Sequence, residues 1–261
     1  MKKFRNNWFR VAVEGATSDK RTIKRSWLEQ AAKNFNPSTY CARLWLEHFR
    51  SLLPDSPFKA YGDVPRYAVG HSFGGVLTSL IVAERPQLFA KAVMLDPVIF
   101  SPSMISSLRL LSALGLNRRH TLARKAAARR QHWPDRASAK AALANRGIFK
   151  GWSDEALNAY VEHGLKDDGQ GVALKCSPER EVDIFSSFPR RLWRSLRRVQ
   201  TPTLVIHGRD SYPYVARSIK RWAALNRHLS TQVIDGQHCF MQVDPVTSAR
   251  SIAGFLQTEA H

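Results

Sequence analysis

The sequence predicts an α/β protein in which a mostly parallel sheet with flanking helices is interrupted by an inserted helical cap. Short apolar segments alternate with helical ones over residues 66–100 and again over 200–258, and strands that alternate with helices form parallel sheets covered on both faces. Residues 101–199 instead show helical patterns, many arginines and alanines, and no clear buried strand. We therefore expect a core built from residues 1–100 and 200–261, with 101–199 as the cap.

The first part of the core is predicted as a strand, a turn, a helix and a second strand. Residues 66–70 and 90–95 are the short apolar segments, and residues 74–84 form a longer one after a glycine-rich turn. The second strand ends at Asp96, which a proline follows.

The last part of the core repeats this alternation. Strands are predicted over 203–207 and 231–235, and helices over 213–226 and 244–257. An Asp-Pro pair beginning at Asp244 marks the start of the closing helix. Because the carboxyl ends of parallel strands share one edge of a sheet, we expect polar residues that follow these strands to meet there.

Length, cysteine content and hydropathy narrow the class of protein. The 261 residues, 44% of them hydrophobic, suffice for one large α/β domain with a buried core. The three cysteines lie far apart and lack Cys-x-x-Cys spacing, which argues against a disulfide framework or a zinc site and for a reducing compartment. No apolar run reaches the roughly 18 residues that a membrane helix needs. We expect a cytoplasmic protein without a membrane span.

The formal net charge of +19 is the unusual feature of the composition. Basic residues cluster over 118–130 and 190–198, and in the second cluster Leu192, Trp193 and Leu196 recur at helical spacing between arginines. A basic amphipathic helix can bind nucleic acid or an anionic membrane surface. We favour the alternative in which the Leu/Trp stripe packs on the core and the arginines are solvated.

The segment Gly-His-Ser-Phe-Gly-Gly at residues 70–75 places Ser72 at the turn between the first predicted strand and the first helix. Such a turn strains the serine backbone and crowds side chains two residues away, a clash that flanking glycines remove. The turn also presents the hydroxyl at a helix N-terminus, whose free N–H groups favour a developing oxyanion. Ser72 is the candidate nucleophile.

A serine hydroxyl needs a base to take its proton, and His238 is the best-placed histidine. It follows the last predicted strand, so it would meet Ser72 at the shared edge of the sheet. His71 lies beside the serine but is expected to point away from it and to be structural. His207, which ends a strand, is a weaker rival.

Two aspartates qualify as the acid that orients the base. Asp96 ends the strand after the candidate nucleophile helix, and Asp210 follows the strand predicted over 203–207. Either carboxylate can reach a histidine at the same sheet edge, and each can instead cap a turn or a helix.

In the chain order serine, acid, histidine, these segments resemble the α/β-hydrolase fold family. The likeness covers residues 66–100 and 200–258, in the segments Gly-His-Ser-Phe-Gly-Gly, Leu-Asp-Pro, Val-Ile-His-Gly-Arg-Asp and Gly-Gln-His-Cys-Phe-Met-Gln-Val-Asp-Pro. The resemblance implies hydrolysis through an acyl-enzyme, usually without a cofactor, and a helical cap after the sixth strand. Members that open epoxides or remove halides have an aspartate at the turn, so Ser72 argues against those activities.

Two features depart from the family pattern. Most members carry the acid where this chain has Ser211, and others carry it after the sixth strand, where this chain has Asp96; we lean to Asp96. The part before the nucleophile is also shorter than usual. Either residues 31–36 replace the oxyanion turn, or residues 9–13 form the fourth strand and 38–53 the next helix. We favour the second alignment, which omits the first strands and the oxyanion loop.

The favoured function is a serine hydrolase that cleaves a carboxylic ester or a related acyl compound. Ser72 attacks, His238 acts as base and then acid, Asp96 or Asp210 orients the histidine, and the Phe73 N–H binds the oxyanion. The cap is expected to shape an apolar acyl pocket with three aromatic side chains, those of Trp133, Phe149 and Trp152.

Two other functions remain as alternatives. One is a catalytically weak or inactive α/β-hydrolase-fold protein that binds a ligand or partner, and whose open sheet edge favours a homo-oligomer. The other is a basic protein that binds nucleic acid or another anionic partner. A small-molecule acyl substrate is the expected partner, and no cofactor or metal is expected.

Overall fold

The computed structural model describes residues 65–116, 121–186, 189 and 191–258, without the side chains of Thr121 and Leu122. Its strands are β1 (Tyr67–His71), β2 (Lys91–Leu95), β3 (His132–Trp133), β4 (Leu165–Asp167), β5 (Val172–Leu174), β6 (Thr203–Gly208) and β7 (Leu229–Ile234). Its α-helices are α1 (Phe73–Glu84), α2 (Pro102–Ala113), α3 (Thr121–Ala127), α4 (Arg136–Leu143), α5 (Asp154–Gly164), α6 (Pro178–Phe185), α7 (Leu192–Leu196), α8 (Pro213–Leu225), α9 (Phe240–Val243) and α10 (Pro245–Gln257). Short 3₁₀ turns cover Pro86–Leu88 and Gly147–Phe149.

Four strands form a parallel sheet in the order β1-β2-β6-β7. The register pairs His71 with Leu95 and Leu95 with Ile206, so β1 and β2 end together. β2 is buried along its whole length because a strand pairs with it on each side and helices cover both faces of the sheet. The predicted α/β fold with a mostly parallel sheet is confirmed.

Alternate residues of each strand face the two helical layers. Ala92 and Met94 pack in the cluster that includes α1, α7 and α8. Val93 and Leu95 pack in the cluster that includes α9 and α10. This period of two is what a parallel strand buried on both faces requires.

The observed bounds differ most from the predicted ones at the last strand. We predicted residues 231–235, whereas β7 begins at Leu229, which pairs with Thr203 at the start of β6. Polar side chains at Ser230 and Thr231 obscure the strand in the sequence, and both are exposed at this edge of the sheet.

The block between β2 and β6 contains a small antiparallel sheet of order β3-β5-β4 that we did not predict. Its strands are two or three residues long, too short to show a period of two in the sequence. Gly169 and Gly171, both with positive φ, form the turn between β4 and β5. The expectation of a block without strands was therefore wrong, although six helices do lie in its described part.

The short helix α7 packs on the core as we favoured. Leu192 and Leu196 are buried in the same cluster as α1, and the indole N–H of Trp193 donates to the Phe100 carbonyl at 2.9 Å. Arg194 and Arg197 are exposed. The predicted packing of the Leu/Trp stripe on the core is confirmed for this helix.

Several sequence expectations fall outside the described residues. These include both alignments of the N-terminal part, residues 31–36 on one side and 9–13 with 38–53 on the other, and the start of the basic cluster over 118–130. Across the part that the structure does describe, no helix has both the length and the apolar character needed to cross a membrane.

Candidate active site

Ser72 lies at the turn between β1 and α1 with φ 55° and ψ −123°, a conformation that L residues rarely adopt. A residue held in such a region costs about 1–3 kcal/mol, so the surroundings must enforce it. The Ser72 N–H donates to the Leu95 carbonyl at 3.0 Å, and the Ser72 carbonyl accepts from the Val76 N–H at 3.3 Å. Both bonds follow from the parallel pairing of β1 with β2 and from the start of α1.

The glycines beside Ser72 differ in how much space a side chain would have at their positions. A Cβ at Gly70 would lie 2.4 Å from Thr78 Oγ1 and 2.6 Å from the Gly74 carbonyl oxygen, and one at Gly75 would lie 3.0 Å from Pro97 Cβ. A Cβ at Gly74 would meet nothing within 4 Å. The expectation that both glycines flanking the serine relieve a clash therefore holds for Gly70 and not for Gly74. The crowded second position is Gly75.

His238 lies in the loop between β7 and α9, and its imidazole faces Ser72. The distance from His238 Nε2 to Ser72 Oγ is 2.9 Å. The ring of His71 donates from Nε2 to the His238 backbone carbonyl at 3.0 Å, since a carbonyl can only accept. His71 thus has the structural position that we expected, because it holds the loop that carries His238.

Asp96 is fully buried and follows β2 with a φ of 44°, which aspartate tolerates better than most residues. Its Oδ2 lies 2.5 Å from His238 Nδ1. The Gly208 N–H donates to Oδ1 at 3.0 Å, and the Ser211 hydroxyl donates to Oδ2. These three donors provide the hydrogen bonds that a carboxylate needs when it is taken out of water.

The two remaining candidates from the sequence, Asp210 and His207, form no hydrogen bond with the His238 ring. Asp210 is exposed, and its backbone N–H donates to the Gly236 carbonyl at 2.9 Å. His207 Nδ1 lies 3.2 Å from the Gly208 carbonyl. The structure therefore brings Asp96, and not Asp210 or His207, into the hydrogen-bonded chain with His238.

Phe73 is the first residue of α1. The N–H groups of the first helical turn have no carbonyl partner within their own helix, and the helix dipole places partial positive charge there. The arrangement offers the Phe73 N–H, one residue beyond Ser72, to an oxygen that becomes negative.

Two residues contact the site in ways that we did not predict from the sequence. Ser211 was noted only as a departure from the family pattern, yet it donates to the acid. The ring of Tyr212 lies 5.0 Å from that of His238 and stacks on Tyr214 at 5.7 Å. Both residues directly follow Asp210, which we had placed at the edge of the sheet where the strands end. That position could have identified them as candidates for the site.

The three aromatic residues that we assigned to an acyl pocket pack against other side chains, two of them against each other. Trp133 is buried in the core of the inserted block, and the rings of Phe149 and Trp152 are 4.8 Å apart. The Trp152 indole also lies against the thiol of Cys239, whose pKa burial raises to about 12. That thiol is therefore neutral and a poor nucleophile.

No group of three or more His, Cys, Asp or Glu side chains that could hold a metal ion occurs within the described ranges.

Comparison with known proteins decides the family. Residues 58–245 match the family model described as the alpha/beta hydrolase fold. The chain belongs to the α/β-hydrolase fold family. Among solved structures, it is 21% identical to E-2-(acetamidomethylene)succinate hydrolase, with a TM-score of 0.62 over 86% of this chain and 77% of that one. A peroxisomal α/β-hydrolase of Saccharomyces cerevisiae gives 16% identity and a TM-score of 0.62 over 87% and 62%.

Curated relatives match in parts only. An abhydrolase domain-containing protein of Alternaria alternata is 30% identical over 114 residues, 44% of this chain and 38% of the relative. Mouse monoglyceride lipase is 41% identical over 64 residues, 24% of this chain and 21% of the lipase. The matched regions thus span about a fifth to two fifths of these relatives.

A second family model and a further relative also match parts of the chain. Residues 6–91 match the N-terminal domain of the GPO serine peptidase family, and the capsid assembly scaffolding protein of Escherichia phage P2 is 45% identical over 64 residues, 24% of this chain and 22% of that protein. The two family matches overlap at residues 58–91. Within the overlap, residues 67–91 form the strand, turn and helix of the hydrolase arrangement.

We expect Gly70→Ala to destabilise the fold by about 1–3 kcal/mol, because its Cβ would overlap Thr78 and a backbone carbonyl. Gly74→Ala is the matched control. Its Cβ has free space, and alanine is the better helix former. Urea unfolding measures both free energies, and an equal loss in the two variants would contradict this account of the turn.

His71 should make stability depend on pH. Burial, and next the nearby His238, lower the pKa of His71 to about 4 from an ordinary 6.5. Between these values the unfolded chain binds a proton that the folded chain does not, so stability falls as pH falls from about 6.5 to 4, by up to about 3 kcal/mol. Urea unfolding at several pH values should show a shallower fall in His71→Gln. An identical pH dependence in both proteins would refute the assignment.

Proposed function

We propose that the protein is a serine hydrolase that cleaves a carboxylic ester or a related acyl compound through an acyl-enzyme. The observation that carries the proposal is the continuous hydrogen-bonded chain from Ser72 through His238 to the buried Asp96. A serine is activated by an adjacent base that a third group orients, and these three residues have that arrangement.

In the proposed reaction, Ser72 Oγ attacks the carbonyl carbon of the substrate while His238 Nε2 takes the hydroxyl proton. Asp96 holds the imidazole through Nδ1 and stabilises the imidazolium. His238 then gives its proton to the departing alcohol, which leaves the acyl group on Ser72. Water, deprotonated by His238, attacks the acyl-enzyme and releases the carboxylic acid.

The Phe73 N–H is the proposed donor to the oxyanion of both tetrahedral intermediates. One such donor typically contributes about 10²–10³ in turnover. This donor comes from the start of α1, directly after the candidate nucleophile.

The surroundings of His238 support an acyl substrate with apolar character. Tyr212, half exposed, and Tyr214 form a stacked aromatic wall beside the histidine. Two relatives carry names that describe acyl chemistry, the mouse monoglyceride lipase and a type I acyl-CoA thioesterase of Penicillium brevicompactum, 31% identical over 126 residues, 47% of this chain and 27% of the thioesterase.

We further propose that much of the block over 101–199 acts as a cap on the site. The Ser153 N–H donates to the Gln242 carbonyl at 2.9 Å, which joins this block to the segment that follows His238. At its far end, Leu192 and Leu196 belong to the core cluster. Cys176 and Cys239 are free thiols, which supports the proposal of a reducing, cytoplasmic compartment.

A fluorophosphonate probe should add once to wild-type protein, not at all to Ser72→Ala, and at least a hundredfold more slowly to His238→Ala. Asp96→Asn should also slow labelling strongly, because it removes the carboxylate that orients the histidine. Asp210→Asn is the matched control and should label at the wild-type rate. Intact-mass analysis over time measures each rate.

Labelling that persists in Ser72→Ala would overturn the assignment of the nucleophile, and equal effects of the two aspartate variants would overturn that of the acid. A folded wild type that takes no label would favour a second candidate function. That candidate is a non-catalytic binding protein, and the 64-residue match to a capsid assembly scaffolding protein supports the binding role.

Ser211 should act as a positioning residue through Asp96. In Ser211→Ala, the buried carboxylate loses one of its three donors, so kcat on a p-nitrophenyl ester should fall about tenfold. KM should change little, because Ser211 bonds to Asp96 and not to the substrate. Ser211→Thr keeps the hydroxyl and should restore most of kcat. Equal losses in the alanine and threonine variants would show that packing, and not the hydroxyl, is what matters.

A further inference from the structure

Two neighbouring segments, residues 191–198 and 213–228, carry many basic residues and no aspartate or glutamate. Eight of these residues are exposed, and together we call them the basic face: Arg191, Arg194, Arg197, Arg198, Arg217, Lys220, Arg221 and Arg227. These eight positive charges are a large part of the chain's formal net charge of +19.

Buried contacts hold the two segments side by side. The Trp222 indole N–H and the Asn226 amide both donate to the Leu196 carbonyl at 2.9 Å, and Asn226 also donates to the Val199 carbonyl at 2.8 Å. On the surface, the Arg221 guanidinium lies 5.4 Å from the centre of the Trp193 ring. These hydrogen bonds and this ring contact place the two segments of the basic face next to each other.

Three of the eight members of the basic face line a cleft of about 530 Å³. Arg197 and Arg198 line it from one segment, and Arg227 and His228 from the other. The cleft lies at the amino ends of β6 and β7, whereas Ser72 follows the carboxyl end of β1. At about 3.3 Å per residue, the length of β6 separates these two edges by about 17 Å, so the cleft is distinct from the proposed active site.

The charges of the basic face lack ion-pair partners among the described carboxylates, unlike those of other arginines of the same chain. Arg129 pairs with Glu181 at 2.5 Å and Arg136 with Asp167 at 2.6 Å, but no described carboxylate forms an ion pair with any member of the basic face. Glu84 is the one acidic residue that lines the cleft.

The negative ends of the neighbouring helix dipoles neutralise only a small part of the positive charge on the basic face. The carboxyl end of a helix carries about −0.5 charge, and the ends of α1 and α8 therefore offset about one of the eight positive charges. Most of the charge of the basic face remains available to a partner.

We propose that the basic face binds the phosphate backbone of a single-stranded nucleic acid, independently of sequence. A positively charged groove that tracks the backbone is how such strands are bound, and the cleft gives the basic face that concave shape. A flat lipid surface cannot enter a cleft, and membrane-surface helices insert several large apolar side chains. Here Leu225 is the one large apolar residue exposed in the two segments.

The test is binding of the full-length protein to a fluorescein-labelled 30-nucleotide single strand, followed by anisotropy between 50 and 200 mM salt. The face variant carries Arg194→Ser, Arg198→Ser, Arg221→Ser and Arg227→Ser. The control variant carries four changes of equal charge in the inserted block, Arg124→Ser, Lys125→Ser, Lys175→Ser and Arg180→Ser, all at exposed positions.

Wild type should bind with an affinity that falls steeply with salt. Each phosphate contact on a single strand adds about 0.7 to the slope of log K against log salt, so the face variant should lose about 3 from that slope and bind at least tenfold more weakly. The control variant should bind within about threefold of wild type. Melting temperature and fluorophosphonate labelling should not change in either variant.

Three outcomes would overturn the proposal. Equal loss in the two variants would mean that net charge, and not this face, attracts the strand. Binding to poly-glutamate or to vesicles of anionic lipid as strong as to the single strand would assign another partner to the face. No salt-dependent binding by folded wild type would exclude a nucleic-acid site, whatever the result of the labelling experiment.

Discussion

The hydrogen bonds of one buried carboxylate connect the elements that make the site. Asp96 follows β2, and its three donors come from the end of β6, from the loop before α8 and from the loop after β7. Because an ionised carboxylate without partners is very costly in an apolar interior, these three segments must converge on it. The position of His238, and through it the contact with Ser72, depends on that convergence.

A parallel sheet allows the carboxylate that contacts the histidine to follow either of two neighbouring strands. The order β1-β2-β6-β7 places the end of β2 next to that of β6, so a carboxylate after either strand can reach a histidine that follows β7. In this chain the carboxylate follows β2, and a serine occupies the place where most members of the family carry the acid. Its hydroxyl serves the carboxylate as a donor, which a second carboxylate could not do while ionised.

The strained serine depends on the sheet in a similar way. Its backbone is held by a hydrogen bond from Ser72 to Leu95 across the sheet and by the start of α1. The energy that stabilises this conformation comes from strand pairing and helix packing around it, and the close approach of α1 to β1 requires glycine at Gly70. The fold thus presents the hydroxyl in one orientation.

The sequence by itself determined the strands β1, β2 and β6, the helices α1, α8 and α10, the serine turn and the place of His238 after the last strand, because short apolar segments, helical patterns and glycine turns are local signals. Only the tertiary structure showed that Asp96, and not Asp210, is hydrogen-bonded to His238, because two carboxylates at the ends of neighbouring strands differ in burial and donors, not in local pattern. It also revealed the three short strands of the inserted block, the burial of Trp133, the contact between the rings of Phe149 and Trp152, and the hydrogen bond from Ser211 to Asp96. The hydrogen bond from Ser211 to Asp96 joins residues far apart in the chain, which no local pattern encodes, and the short strands have too few residues to show a period.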